Sequence, residues 1–421
     1  MTGAGRFDEA VLHDDPGRLA LIEVLEAALA AVEPERLVRA ALADLELGME
    51  PATVIAFGKA APAMARGWAG AAVPLKAGVV VSDHEEVVPP GFDLLVAGHP
   101  LPDGRSVEAA ERVLAMLRAA PDQSPVLFMI SGGGSALLEL PAAGVSLADL
   151  EVTNRLMLAS SLPISALNAV RTALSAVKGG RLGAHAGHLR PFTLVLSDVG
   201  LAGAATVASG PTTPPPSVEA DLESMLREHQ LWDRLPASVR TRVNEAAHDR
   251  PAPPPHPIVT LADGKVAAMA GKERARQMGL DATVAEMELA GDAAESARAM
   301  LAGAGPGLTL ASGETTVDVG GATGRGGRNQ EAGLAAAIEG EGDSGWTLAA
   351  LATDGIDGNT RAAGAIVDGR TCSRARADGL DPIRCLADHD SHTALVAAGD
   401  LLITGPTGTN VADLWAVLRR A

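Results

Sequence analysis

Short, unbroken apolar runs recur along this chain with helix-like stretches between them, and this alternation constrains the fold more than any other feature. The first run is Ala52-Thr53-Val54-Ile55-Ala56-Phe57, followed by Ala77 to Val81, Leu94 to Ala97, Val126 to Ile130 and Phe192 to Leu196. Strands that are apolar on both faces belong to a parallel sheet covered by helices on each side. Ser106 to Leu117 reads as one covering helix, and helical periodicity also runs from about Pro16 to Leu47. The alternation breaks at two proline clusters, Pro211 with Pro214-Pro215-Pro216 and Pro251 to Pro257, which bracket a charged helical segment. It resumes with Ile258 to Leu261, a helix from Lys265, Ala282 to Leu289, a helix from Asp292, Trp346 to Ala352 and Gly364 to Val367. At 421 residues the chain exceeds one compact core. Two α/β domains are therefore expected, 1-250 and 256-421, with 211-257 as the proline-rich linker region.

Two strand-to-helix junctions are glycine turns. Leu127-Phe128-Met129-Ile130-Ser131-Gly132-Gly133-Gly134-Ser135-Ala136-Leu137 sets one at the carboxyl end of a parallel strand, where α/β sheets bind ligands. Three glycines let the backbone approach a ligand closely, and Ser131 or Ser135 can offer a hydroxyl to a phosphate oxygen. The plain alternative is a tight turn that needs positive φ angles. The second is Gly320-Gly321-Ala322-Thr323-Gly324-Arg325-Gly326-Gly327-Arg328-Asn329-Gln330-Glu331. It lies between the strand-like Glu314-Thr315-Thr316-Val317-Asp318-Val319 and an apolar helix, Ala332 to Ile338. A glycine turn that opens a helix can point bare N–H groups at an anion, and two arginines suit a multiply charged one such as phosphate. A surface loop is the alternative; arginines inside the turn favour the functional reading.

Charge narrows the ligand class. A formal net charge of −18 opposes binding to nucleic acid or anionic membranes, and 2% aromatic residues leave little for stacking bases. An anionic ligand then needs positive charge concentrated locally. Val152 through Ser197 contains no Asp or Glu, yet holds Arg155, Arg171, Lys178, Arg181 and Arg190. After Asn168-Ala169-Val170, the spacing of Arg171, Ser175 and Lys178 puts them on one helix face. Two cations there repel unless something negative sits between them. Only Cys372 and Cys385 are present, without zinc-site spacing or a disulfide framework. No signal-type apolar core or membrane-length run is evident, so a soluble, cytoplasmic protein is expected, with a homodimer left open.

Further chemistry-bearing residues stand at strand ends. Lys59 follows an apolar strand directly, and Ser197-Asp198-Val199 places an aspartate where a Mg²⁺ ligand or base would sit. Thr353-Asp354-Gly355-Ile356-Asp357-Gly358-Asn359 sets two carboxylates in a glycine turn, suited to Mg²⁺, to substrate hydroxyls or simply to the turn. Thr404-Gly405-Pro406-Thr407-Gly408-Thr409-Asn410 with Asp413 reads as another such turn before a last helix. His389-Asp390-Ser391-His392 has too few neighbouring ligands for a metal site. Familiar patterns fail. Gly58-Lys59 is followed by Ala60, so it is no P-loop; Asn329 breaks the dinucleotide pattern; Leu137 breaks the nucleophile elbow at Ser135.

Taken in order, these strings resemble one family. Gly58-Lys59-Ala60-Ala61, Gly98-His99-Pro100-Leu101-Pro102-Asp103, Ser131 to Leu137, Asn168 to Arg181, Ser197-Asp198-Val199 and Ser209-Gly210-Pro211-Thr212 come first. Gly313-Glu314-Thr315-Thr316-Val317, Gly326 to Glu331, Thr353 to Gly358 and Thr404 to Asp413 complete the set. Together they resemble the class II glycerate kinases (glycerate 2-kinases) with a C-terminal MOFRL domain, over nearly the whole chain. The resemblance implies an N-terminal Rossmann-like α/β domain and a second α/β domain containing the MOFRL segment, about 305-415. It places the active site in the cleft between them. It also implies phosphorylation of D-glycerate to 2-phosphoglycerate with ATP and Mg²⁺, with Lys59 and Arg328 as the catalytic cations. Ser131, Gly132, Gly133, Gly134, Ser135, Asn168, Arg171, Lys178, Arg325, Asn329, Asp354, Asp357 and Asn410 are the candidate substrate or nucleotide contacts, and Asp198 the candidate metal ligand.

The sequence departs from the family in two places. Where the family carries a Gly-Asp pair after Ser-Asp-Val, this chain reads Gly200-Leu201-Ala202-Gly203-Ala204, and Ala262-Asp263-Gly264-Lys265 lacks an expected asparagine. Two alternatives stand beside the kinase: a hydroxypyruvate reductase-like enzyme, and a catalytically weakened relative that binds nucleotide or glycerate.

Overall fold

The computed structural model describes residues 7, 13, 15–45, 50–158, 160, 162, 164–200, 203–214, 222–246 and 253–420. The chain forms two compact units. One comprises Pro34–Ser197 and Ala202–Leu261; the other comprises Met1–Glu33, Asp198–Leu201 and Ala262–Ala421. This division departs from the expected 1-250 and 256-421, because the first helix, Pro16–Ala31, packs on the helix Gly264–Gln277 of the later unit. Gly271 makes that packing close, since a Cβ there would lie 3.1 Å from Val24 Cγ1.

The first unit is built on a six-stranded sheet. Its strands are β1 (Ala52–Phe57), β2 (Leu75–Ser82), β3 (Phe92–Val96), β4 (Pro125–Ile130), β5 (Arg190–Leu196) and β6 (Ile258–Ala262), in the order β3-β2-β1-β4-β5-β6. Pairing from β3 through to β5 is parallel throughout. β1 and β4 are buried along their whole length, which is why they read as continuous apolar runs. The order reverses between β1 and β4, so the crevice at their carboxyl ends is the topological switch point.

Several expectations for this unit change. The periodicity from Pro16 resolves into two helices, Pro16–Ala31 and Pro34–Asp44; Pro34 opens the second, where its missing N–H costs nothing. Residue 47, the expected end, lies outside the described residues. The helical segment expected between the proline clusters is present: Leu222–Glu228 and Ala237–Ala246 are helices. Leu226, Trp232, Val239 and Val243 from this stretch share a buried core with Leu150, Met157 and Val170. Residues 215–216 and 251 lie outside the described residues.

The second unit carries a mixed sheet of β7 (Ala282–Val284), β8 (Gly307–Gly313), β9 (Trp346–Ala352), β10 (Gly364–Asp368), β11 (Leu401–Leu402) and β12 (Asp413–Arg419). Their order is β11-β10-β9-β12-β8-β7. β7 and β8 pair parallel, and the other pairings are antiparallel. The expected last helix is β12 instead. Asp413-Leu414-Trp415-Ala416-Val417-Leu418 is buried between β8 and β9, and a short apolar run carries no period that separates helix from strand. The expected strand from Glu314 to Val319 is also displaced. β8 ends at Gly313, and the next residues make an isolated bridge at Thr316 and a turn at Gly320-Gly321 before the helix Arg328–Glu339. That helix starts earlier than Ala332, so Arg328, Asn329, Gln330 and Glu331 form its first turn. Its alanines are buried with Trp346 and Trp415 in the core of this unit.

A candidate phosphoryl-transfer site

In the parallel-sheet unit the residues after β1 and β4 interlock. Lys59 N donates to Gly132 O at 2.9 Å, Ser131 N to Phe57 O at 3.1 Å, and Ala60 N to Ser131 Oγ at 3.0 Å. Gly58 stands at φ +120°, and a Cβ on it would lie 2.2 Å from Ser131 Oγ. Only glycine lets the two strand ends approach this closely. A Cβ on Gly133 would meet Lys59 Cγ at 3.2 Å and His99 Nε2 at 3.4 Å, so the triple-glycine turn faces a lysine and a histidine. Asp83, one residue past β2, joins them. Burial raises its pKa, but His84, His99 and Lys59 together hold it below the ordinary carboxylate value.

Ser135 lies one turn further on. Its Oγ is 2.8 Å from Ser209 Oγ, which in turn donates to Asn168 Oδ1 at 3.5 Å. The sequence reading missed Ser209 as a partner of Ser135 and Asn168, because the contact spans 74 residues. A local sign does exist: Ala208, Ser209 and Gly210 all hold positive φ. Such strain in non-glycine residues persists only where surrounding structure enforces it.

Arg171 and Lys178 do not share a helix face, because their helix ends at Ala173. Ser175 instead accepts from the amides of Val177 and Lys178, each at 3.3 Å. The negative group that relieves the two cations is the protein's own. Lys178 Nζ pairs with Glu139, both fully buried, and Arg171 also feels the Glu139 charge. Burial pushes the Lys178 pKa down, while Glu139 pulls it up. Glu139 lies outside the acid-free window, and nothing local in the sequence links it to Lys178.

In the mixed-sheet unit the second glycine turn proves different. The carboxylate of Asp357 accepts from Asn329 N at 3.1 Å and Gln330 N at 2.9 Å, and from the side-chain amide of Gln330 at 3.0 Å. It thus fills the helix N-terminus that the sequence offers to a phosphate. The glycines serve this closure: a Cβ on Gly327 would lie 2.4 Å from Asp357 Cγ, and one on Gly358 2.0 Å from Gly326 O. Burial raises the Asp357 pKa, and those hydrogen bonds oppose the rise. Asn329 is likewise internal. It donates to Asp413 Oδ1 at 3.0 Å and accepts from Trp415 Nε1 at 2.7 Å.

Arg328 is presented by the first residue of this helix. Its guanidinium forks onto Asp413, Nε to Oδ2 at 2.6 Å and Nη2 to Oδ1 at 3.1 Å, and Nη1 reaches Glu314 at 2.6 Å. Its side chain stays 32% exposed, so one face of the cation remains open to a ligand. Burial works against its charge, but Asp413 and Glu314 outweigh it and raise the pKa. The Asp413 carboxyl is pushed up to about 6 by burial, against the pull of Arg328. Arg325 is exposed, its amide bound to Asp390 at 3.1 Å. Asp354 caps its own turn through Ile356 N at 3.0 Å.

Asn410 Nδ2 donates to Asp198 Oδ2 at 3.4 Å within the same unit. Among the described residues no group of three or more His, Cys, Asp or Glu is placed to hold a metal. Mg²⁺ commonly takes only one or two carboxylates and fills its shell with substrate phosphates and water, so the Asp198 carboxylate beside Asn410 fits it. Leu201 and Ala202 of the divergent segment lie outside the described residues.

Two family models match: a domain of unknown function (DUF4147) over residues 20–244, and the MOFRL family over 307–413. The chain is 36% identical to D-glycerate 2-kinase of Thermotoga maritima, over 93% of this chain and 96% of that protein. It belongs to the glycerate 2-kinase family. A crystal structure of glycerate kinase from Thermotoga maritima superposes with TM-score 0.82 at 35% identity, covering 95% of this chain and 99% of that one. A protein of Agrobacterium vitis under a provisional hydroxypyruvate reductase name is 37% identical, over 96% of this chain and 95% of that protein. Among the described residues no helix is long and apolar enough to cross a membrane.

Proposed function

We propose that the protein transfers the γ-phosphoryl group of ATP to the 2-hydroxyl of D-glycerate, giving ADP and 2-phosphoglycerate. The family membership supports the reaction. The observation that carries the site is the Lys59–His99–Gly133 contact at the switch point of the parallel sheet. Phosphoryl transfer needs positioning and charge neutralisation rather than a protein nucleophile. Lys59 neutralises charge on the transferring group, and the 132–134 backbone comes close because it has no side chains. The bond that forms joins the glycerate oxygen to γ-phosphorus; the bond to ADP breaks, and the hydroxyl proton leaves to solvent. Arg328, held by Asp413, is assigned the second catalytic cation. Ser135, Asn168 and Arg325 are assigned to substrate contacts. Asp198 would hold Mg²⁺, which when bound neutralises phosphate charge.

Incubation with ATP, Mg²⁺ and D-glycerate should release ADP and give 2-phosphoglycerate by ³¹P NMR. Absence of product with glycerate and with other small hydroxy acids would sink the reading. The reductase alternative predicts NADH oxidation with hydroxypyruvate, which the broken dinucleotide pattern argues against. Calorimetric binding of ATP or glycerate without turnover would favour the weakened relative.

A further inference from the structure

Asp413 and Trp415 stand two residues apart on β12, so their side chains leave the same face of the mixed sheet. Asn329, in the first turn of the helix Arg328–Glu339, meets both of them. Trp415 and Asn329 are fully buried, and Asp413 and Asp357 nearly so. The indole has little freedom, because β12 is paired on both sides and Trp415 sits opposite Ala311 of β8 and Ala350 of β9.

Hydrogen-bond chemistry leaves one arrangement. An indole N–H only donates, so Trp415 Nε1, 2.7 Å from Asn329 Oδ1, dictates which end of the amide faces it. The Nδ2 end then faces away, donating to Asp413 Oδ1 at 3.0 Å and to Asp357 Oδ1 at 3.3 Å. Turned over, the amide would set its oxygen against two carboxylates and leave the indole N–H unpaired in a dry core. Asp413 Oδ1 also accepts from Arg328 Nη2 at 3.1 Å, while Oδ2 accepts from Arg328 Nε at 2.6 Å. The carboxylate that aims the guanidinium is thus held by an amide, and the amide by the indole. Trp346 in the same core gives its N–H to a backbone carbonyl, Gly340 O at 3.1 Å; Trp415 gives its own to the charged cluster around Arg328.

We propose that Trp415 is a positioning residue for the reaction: through the Asn329 amide it fixes the Asp413 carboxylate, and so the direction of the Arg328 guanidinium. This rests on Arg328 serving as the second catalytic cation.

Trp415→Phe keeps most of the ring and removes the donor. It should lower kcat about tenfold, since a misaimed group loses that much, and leave KM for ATP within about twofold, because Arg328 keeps its charge. Asn329 no longer stabilises the Asp413 carboxylate, so the acid limb of the kcat–pH profile should move up by about half a unit or more. A purely packing role would leave that limb in place. Asn329→Ala should move it the same way, and carries the test if Trp415→Phe does not fold. If the indole acts through the amide, the double variant is no slower than the slower single. Carbon-13 titration of the Asp413 carboxyl in the free protein should show the same upward shift without any turnover. An unmoved Asp413 titration in Trp415→Phe, or wild-type kcat with an unmoved limb, would overturn the proposal and leave the catalytic reading of Arg328 standing. Near-normal turnover in Arg328→Ala would remove that reading and the proposal together.

Discussion

The two glycine turns look alike in sequence and do opposite work in the fold. Gly132 to Gly134 turns its bare backbone toward Lys59 and His99. Gly324 to Gly327 turns its backbone toward its own protein, where Asp357 fills the helix terminus and Gly358 presses on Gly326. Absence of a Cβ permits close approach without saying what approaches. In the proposed reaction the second turn contributes Arg328 rather than its amides.

Substitution can break this comparison. The largest effect is expected for Lys59→Ala, which should lower kcat by about 10³, as loss of a charge-stabilising group does, with the melting temperature unchanged. Arg328→Ala should also inactivate the protein, but it strands the 1%-exposed Asp413 and should cost about 3 kcal/mol of stability in urea unfolding. Adding Asp413→Asn should restore most of that stability and none of the activity. Gly327→Ala should destabilise by about 2 kcal/mol, because its Cβ overlaps Asp357. Gly133→Ala should cost only about 1 kcal/mol, for its positive φ, while lowering kcat/KM more than Gly327→Ala does at a temperature where both are folded. Asp357→Ala, which orphans two helix amides, should cost about 2 kcal/mol with KM for ATP little changed.

The smallest effect is a pH effect. With the Asp413 carboxyl raised from its ordinary 3.8 to about 6, the folded state binds more protons than the unfolded state between those values. Its contribution to stability therefore falls as pH rises through that window. Activity should fall as pH drops below about 6, because a neutral Asp413 no longer holds Arg328, and Asp413→Asn should remove that limb.

The parallel sheet was legible because buried parallel strands must be apolar on both faces, and Ala52 to Phe57 and Val126 to Ile130 carry no other pattern. Lys59 and the Ser131 turn were legible because the chain places them at strand ends. Three things were not. β12 is too short and uniformly apolar to show a period. The pairs Lys178–Glu139, Arg328–Asp413 and Asp357–Asn329 join residues far apart in the chain, so local pattern carries no trace of them. The helical segment between the proline clusters was legible, but its packing onto Leu150 and Met157 was not, because those residues lie far away in the chain.

Amide hydrogen exchange, read residue by residue with and without ATP and D-glycerate, tests the contrast most directly. The Asn329 and Gln330 amides, bound to Asp357, should be protected in the free protein and unchanged by ligand. Those of Gly132 and Gly133 should slow only when ligand is added. Slowing confined to Asn329 and Gln330, with Gly132 and Gly133 unaffected, would contradict the account.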